Sequence, residues 1–195
     1  MATDGKIDTL NRCLGELVVD LRSITDPDLD VQLVVVAFGG HGASVHVGLT
    51  SVETAELSPL VAVGQSRLGA AIELAAQILA DASVVPSSSY APLLVLLSDG
   101  RPTDGWEAPL RALEESDAAA RSTRFAVAIG GDADRYMLEQ FAGPTGQVVT
   151  ADRVDDISRF FRYLSWVAGA GVSGAEDGDS PLTPYDDFAL GELEY

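Results

Sequence analysis

Five aliphatic residues in a row, Leu93-Leu94-Val95-Leu96-Leu97, stand between Pro92 and the turn signal Ser98-Asp99-Gly100. The run is far shorter than the roughly 20 apolar residues a membrane helix needs. It predicts a strand buried on both faces, the kind found in the middle of a parallel sheet. Asp99 then falls at the C-terminal edge of that strand, where open α/β sheets bind their ligands. Gly100, Pro102 and Gly105 predict a tight loop, in which Thr103 and Asp104 place further oxygens. Oxygens gathered on a loop suit a hard cation. The same residues also suit a turn, or a cap on the next helix.

The rest of the chain alternates around this strand. Residues 6–24 carry Ile7, Leu10, Leu14, Leu17, Val18, Leu21 and Ile24 at helical spacing, and Asp26-Pro27-Asp28 ends the helix. Cys13 lies within it as a packing residue. Val31–Phe38 is a second buried strand. Gly39-Gly40-His41-Gly42 turns the chain into Ala43–Leu49, with Val45, Val47 and Leu49 expected on the core face. His41 and His46 have no carboxylate or cysteine at metal spacing, so both read as structural. Residues 50–65 are loop-like. Ser66 is a natural N-cap for a helix running to about Ala82. A helix over 107–121, a strand over 124–130, a helix over 134–141, a strand over 147–150 and a helix from Val154 to Gly169 follow. This order predicts an α/β, doubly wound, mostly parallel sheet with one antiparallel edge strand.

Composition narrows the function. The 195 residues suit one domain, 1–169, and an acidic tail, 170–195, expected to be disordered. Within that tail Pro184–Leu190 carries hydrophobic anchors that suit docking. Thirty acidic residues against 12 basic ones give a net charge of −18, with no Lys/Arg cluster. Nucleic acid and anionic membranes are therefore excluded as partners. A single cysteine permits no intramolecular disulfide and fits a reducing compartment. With no leader-like or membrane-length segment, the expected location is cytoplasmic. No Gly-x-Gly-x-x-Gly follows a strand, and no nucleophile elbow is present.

Gly5–Asn11, Gly64–Ala71, Leu96–Trp106 and Ala126–Phe141 together resemble a von Willebrand factor type A domain, closest to the bacterial TerY-like, tellurium-resistance group. The resemblance covers roughly residues 1–168. It implies Mg²⁺ in a metal-ion-dependent adhesion site, formed by an Asp-x-Ser-x-Ser loop, a Thr from a second loop and an Asp from a third. Asp99 matches the third-loop Asp, and Ser66 takes the place of the Thr. The Asp-x-Ser-x-Ser sequence is absent. Met1 falls about where a Met trails that loop in the family. The expectation is that the first, central strand is missing from the recorded chain and that the true start lies upstream.

The resemblance implies a non-enzymatic protein–protein interaction module with a partial metal site, placed in bacterial stress signalling. Ser66 and Asp99 would hold Mg²⁺, and a partner protein's carboxylate would complete the ion. Arg101, Thr103, Asp104 and Trp106 would rim the site. The alternatives are an Mg²⁺-dependent phosphohydrolase using Asp99 and Asp104, and a metal-free scaffold.

Overall fold

A computed structural model describes residues 5–24, 29–173 and 185 of the chain. Helix α1 (Lys6–Arg22) is followed by strands β1 (Gln32–Gly39) and β2 (Gly42–Ser51), which form an antiparallel hairpin. Helix α2 (Leu68–Ala80) leads to strand β3 (Leu93–Ser98). Helices α3 (Glu107–Glu114) and α4 (Asp117–Ala120), strand β4 (Thr123–Ile129), helix α5 (Arg135–Ala142), strand β5 (Gln147–Ala151) and helix α6 (Val154–Ser173) complete the chain.

The strands fall into two sheets, β1-β2 and β3-β4-β5, the second wholly parallel. The alternation of strand and helix is therefore as expected, with the predicted single sheet resolved into an antiparallel pair and a parallel three-strand unit. Both sheets lie between the same two helical layers. On one side Leu10, Leu14 and Leu17 of α1 and Phe160, Tyr163 and Leu164 of α6 meet Phe125 and Val127 of β4. On the other, Leu68 and Ile72 of α2, Leu113 of α3 and Leu138 of α5 meet Leu96, Ala126 and Ala128. Strand β4 is the most deeply buried: Phe125, Ala126 and Val127 have no exposed surface. Their apolar character follows from being covered on both faces.

Three local expectations are corrected. Residues 107–121 form two helices. Ser116 adopts an extended conformation, and its Oγ accepts a hydrogen bond from the Ala119 N–H (3.2 Å), starting α4 afresh. Helix α6 passes through Gly169 and Gly171 to Ser173, because an isolated glycine costs a helix only about 1 kcal/mol and does not stop it. On β2 only Val47 is buried, while Val45 and Leu49 are exposed. Register shifts between Leu33 and Val36 in the facing strand break the simple alternation. The proposed tail, 170–195, lies mostly outside the described residues. Within it, residues 170–173 continue α6 and Tyr185 is buried.

Candidate functional site: the loop after β3 against the start of α2

The C-terminal edge of β3 is organised by a clasp between two loops. Ser66 presents its backbone carbonyl to the loop after β3, where it accepts from the Thr103 N–H (2.9 Å) and the Thr103 Oγ1 hydroxyl (3.1 Å). A Cβ added to Gly100 would lie 3.7 Å from Ser66 Oγ. Ser66 and the residue following Asp99 are thus in van der Waals reach. Ser98 is buried at the end of the strand, and its Oγ donates to the Gly100 carbonyl (3.3 Å), tightening the turn that carries Asp99.

Ser66 does not cap α2. Arg67 occupies the cap position and makes no side-chain capping bond. The cap comes from Asp104, whose two carboxylate oxygens accept from the Gly69 and Ala70 N–H groups (2.9 and 3.1 Å). A carboxylate at a helix N-terminus satisfies orphan donors and meets the positive end of the dipole. Asp104 therefore faces inward. Arg101 and Thr103 are exposed, and Asp99 and Trp106 are half-buried.

Trp106 packs partly against the α2/α5 core and meets Tyr136 edge-on, with ring centroids 6.3 Å apart. Tyr136, at the start of α5, is 65% exposed. It extends the rim and was missed from sequence. Its only signal was its position two residues after Asp134, whose side chain caps α5 by accepting from the Met137 N–H (3.1 Å). The histidines lie elsewhere: His41 is exposed in the hairpin turn, and His46 Nε2 sits 2.8 Å from the Ser58 carbonyl. Cys13 is fully buried, 3.2 Å from Ser158 Oγ.

Mg²⁺ prefers octahedral oxygen coordination and usually takes one or two carboxylates. With both Asp104 oxygens committed to α2, the clasp offers Asp99 and the Ser66 hydroxyl. One carboxylate and one hydroxyl do not make a Mg²⁺ site of their own. Among the described residues no group of three or more His, Cys, Asp or Glu side chains could hold a metal.

The profile of the von Willebrand factor type A domain matches residues 2–162. The chain belongs to the von Willebrand factor type A (VWA) domain family. No match was found among the curated proteins. Solved structures share the VWA fold. Proximal thread matrix protein 1 from the mussel byssus superposes with a TM-score of 0.65 at 18% identity, covering 85% of this chain and 43% of that one. A second structure of the same mussel protein, described as having a zinc-occupied MIDAS motif, gives 0.63 at 16% identity over 85% and 43%. A von Willebrand factor type A protein from Catenulispora acidiphila gives 0.60 at 19% identity over 82% and 38%. This VWA chain spans less than half the length of each.

Proposed function

We propose that this VWA domain is a non-enzymatic protein-interaction module of the TerY-like kind, acting in bacterial stress or tellurium-resistance signalling in the cytoplasm. It would bind another protein through the edge formed by the loop after β3. The observation that carries the reading is the clasp of Ser66 by Thr103, which holds Asp99, Arg101 and Thr103 together at the C-terminal end of β3. Ser66 and Asp99 form a partial metal-ion-dependent adhesion site, and Mg²⁺ would be held there only with oxygens that a partner carboxylate supplies. Arg101, Thr103 and Trp106 select that partner, and Asp104 holds their loop against α2.

A photo-crosslinker at Thr103 tests the reading, with one at Ser88, in a separate exposed loop, as control. The Thr103 probe captures a protein partner, and Asp99→Ala reduces the yield. Equal capture from both positions would refute the reading. Magnesium-dependent phosphoester turnover lost in Asp99→Ala would replace it with a phosphohydrolase. The engagement of both Asp104 oxygens favours one second reading, a metal-free scaffold. Capture that is unaffected by chelation and by Asp99→Ala, but lost in Trp106→Ala, would support that scaffold.

A further inference from the structure

The chain carries 12 basic residues, and most are used inside the fold. Arg12, Arg124, Arg135, Arg153 and Arg159 form ion pairs. Arg22 and Arg121 donate to backbone carbonyls, and Arg162 is engaged as well. Among the described residues, the side chains of Lys6, Arg67, Arg101 and Arg111 are the only basic ones with neither an ion pair nor a hydrogen bond.

Three of these cations meet at the C-terminal edge of the parallel sheet, although they are far apart in the sequence. Arg67 and Arg101 each follow a member of the same contact, since a Cβ on Gly100 would lie 3.7 Å from Ser66 Oγ. Lys6, at the start of α1, comes in over the neighbouring turn, with its Nζ 3.0 Å from where a Cβ on Gly130 would stand. Strands β3 and β4 run parallel with Ser98 opposite Ala128, so Gly100 and Gly130 leave the sheet side by side. Neighbouring strands are about 4.8 Å apart. The Asp134 N–H donates to the Gly100 carbonyl (3.3 Å) and ties the two turns together. Arg111 lies elsewhere, in the last turn of α3.

The carboxylates of this edge do not neutralise the three. Asp104 and Asp134 cap α2 and α5, and Asp99 is engaged as well. Asp132, in the loop after β4, and Asp8, in the first turn of α1, are exposed and pair with none of the three. Lys6 and Arg67 are half-buried and Arg101 is exposed. The Nε of Arg67 is buried with no acceptor, the sole such side-chain atom among the described residues. A buried donor left unmade is costly, and an arriving acceptor removes that cost.

We propose that Lys6, Arg67 and Arg101 form a carboxylate-binding cluster that takes a short acidic segment of a partner protein directly, with no metal ion required. A guanidinium fork matches a carboxylate in two parallel hydrogen bonds, and the ammonium of Lys6 adds a point charge beside it. The net charge of −18 disfavours long polyanions. Screening beyond about 8 Å at physiological salt leaves a short acidic segment to be judged by its immediate contacts. The inference rests on the reading of this edge as a protein-interaction site and supplies the chemistry of the partner.

Lys6 is the only lysine in the chain. Reductive ¹³C-methylation keeps its charge and gives it one side-chain signal, identified by its loss in Lys6→Arg. The probe is the peptide acetyl-Gly-Glu-Glu-Gly-Glu-Glu-Gly-amide, with its Gln-for-Glu counterpart as control, added to the full chain in EDTA. The Glu probe should shift the Lys6 signal saturably, and the Gln probe should not. Arg67→Gln and Arg101→Gln should each weaken binding by at least about fivefold, while Arg111→Gln leaves it within about twofold. Arg101 is exposed and makes no bond, so its variant tests the cluster without disturbing the fold. Raising NaCl from about 50 to about 300 mM should weaken binding by at least about threefold. The cluster is overturned if the Glu probe gives no shift, if the Gln probe shifts the signal equally, if neither arginine variant weakens binding, or if binding appears only when Mg²⁺ replaces EDTA. A crosslinker at Thr103 that still captured a partner in any of those cases would leave the reading of the edge intact, so the two fail separately.

Discussion

The Asp104 carboxylate lies 2.9 Å from the Gly69 backbone nitrogen and 3.1 Å from that of Ala70, so a residue of one loop caps a helix 35 positions earlier in the chain. This bond locks the loop after β3 to α2. Asp104→Ala removes the acceptor and leaves two N–H groups without it, at a cost of about 1–2 kcal/mol. Asp104→Asn keeps one oxygen and should lose roughly half as much. Urea denaturation of the three proteins measures the series. A cost below about 0.3 kcal/mol for the alanine variant would show that the cap is idle.

Gly69 and Gly15 should respond oppositely to the same substitution. Both lie inside helices, where alanine is favoured over glycine by about 1 kcal/mol. A Cβ on Gly15 meets nothing within 4 Å, so Gly15→Ala should stabilise by roughly 0.5–1 kcal/mol. A Cβ on Gly69 would stand 2.2 Å from the Gly105 carbonyl oxygen and 3.2 Å from the Asp104 carboxylate. Backbone cannot swing aside as a side chain can. Gly69→Ala should therefore destabilise by about 1–3 kcal/mol, the usual range for overpacking, and thermal melts should shift in opposite directions.

Tyr163 makes the alkaline limb of stability predictable in sign. Burial pushes its phenol above the ordinary value of 10.0, with the hydrogen bond from Gln147 opposing in part. The folded state then holds a proton that the unfolded state releases between pH 10 and the raised folded value. Stability is intact below pH 10 and falls as pH rises through that window. Tyr163→Phe should flatten the fall. Denaturation midpoints at several pH values between 9 and 11.5 check it, and an unchanged slope would sink the assignment to Tyr163.

What the sequence disclosed, and what it hid, divides along a physical line. Strand β4 was legible because residues covered on both faces leave an unbroken apolar run. Strand β3 was legible from its aliphatic run too, although it is an edge strand among the described residues, with Leu94, Val95 and Leu97 only partly buried and Leu93 exposed. Helix α1 was legible because its apolar positions keep helical spacing. The nearness of Ser66 to the Asp99 turn was legible only through family resemblance. The work of Asp104 was not legible, since a cap supplied from 35 residues away has no local signature. Ser66 looked like an N-cap because capping was judged from the adjacent residues alone.

Tyr185 carries the last test. It falls in a stretch whose composition suggests a solvated tail, yet it is only 8% exposed. Its ring lies 5.4 Å from that of Tyr163, nearly perpendicular, and 6.1 Å from that of Phe160. Its N–H donates to Gln147 Oε1 at 2.9 Å, at the start of the edge strand β5. Two ring pairs at about 0.5–1.5 kcal/mol each, beyond area burial, predict a loss near 2 kcal/mol for Tyr185→Ala. For a domain of this size that is a fall of about 4–8 °C in Tm. Tyr90→Ala, at a residue 58% exposed, is the control and should move Tm by less than about 2 °C. If the two variants melt alike, Tyr185 contributes nothing to the core and the segment around it behaves as its composition suggests.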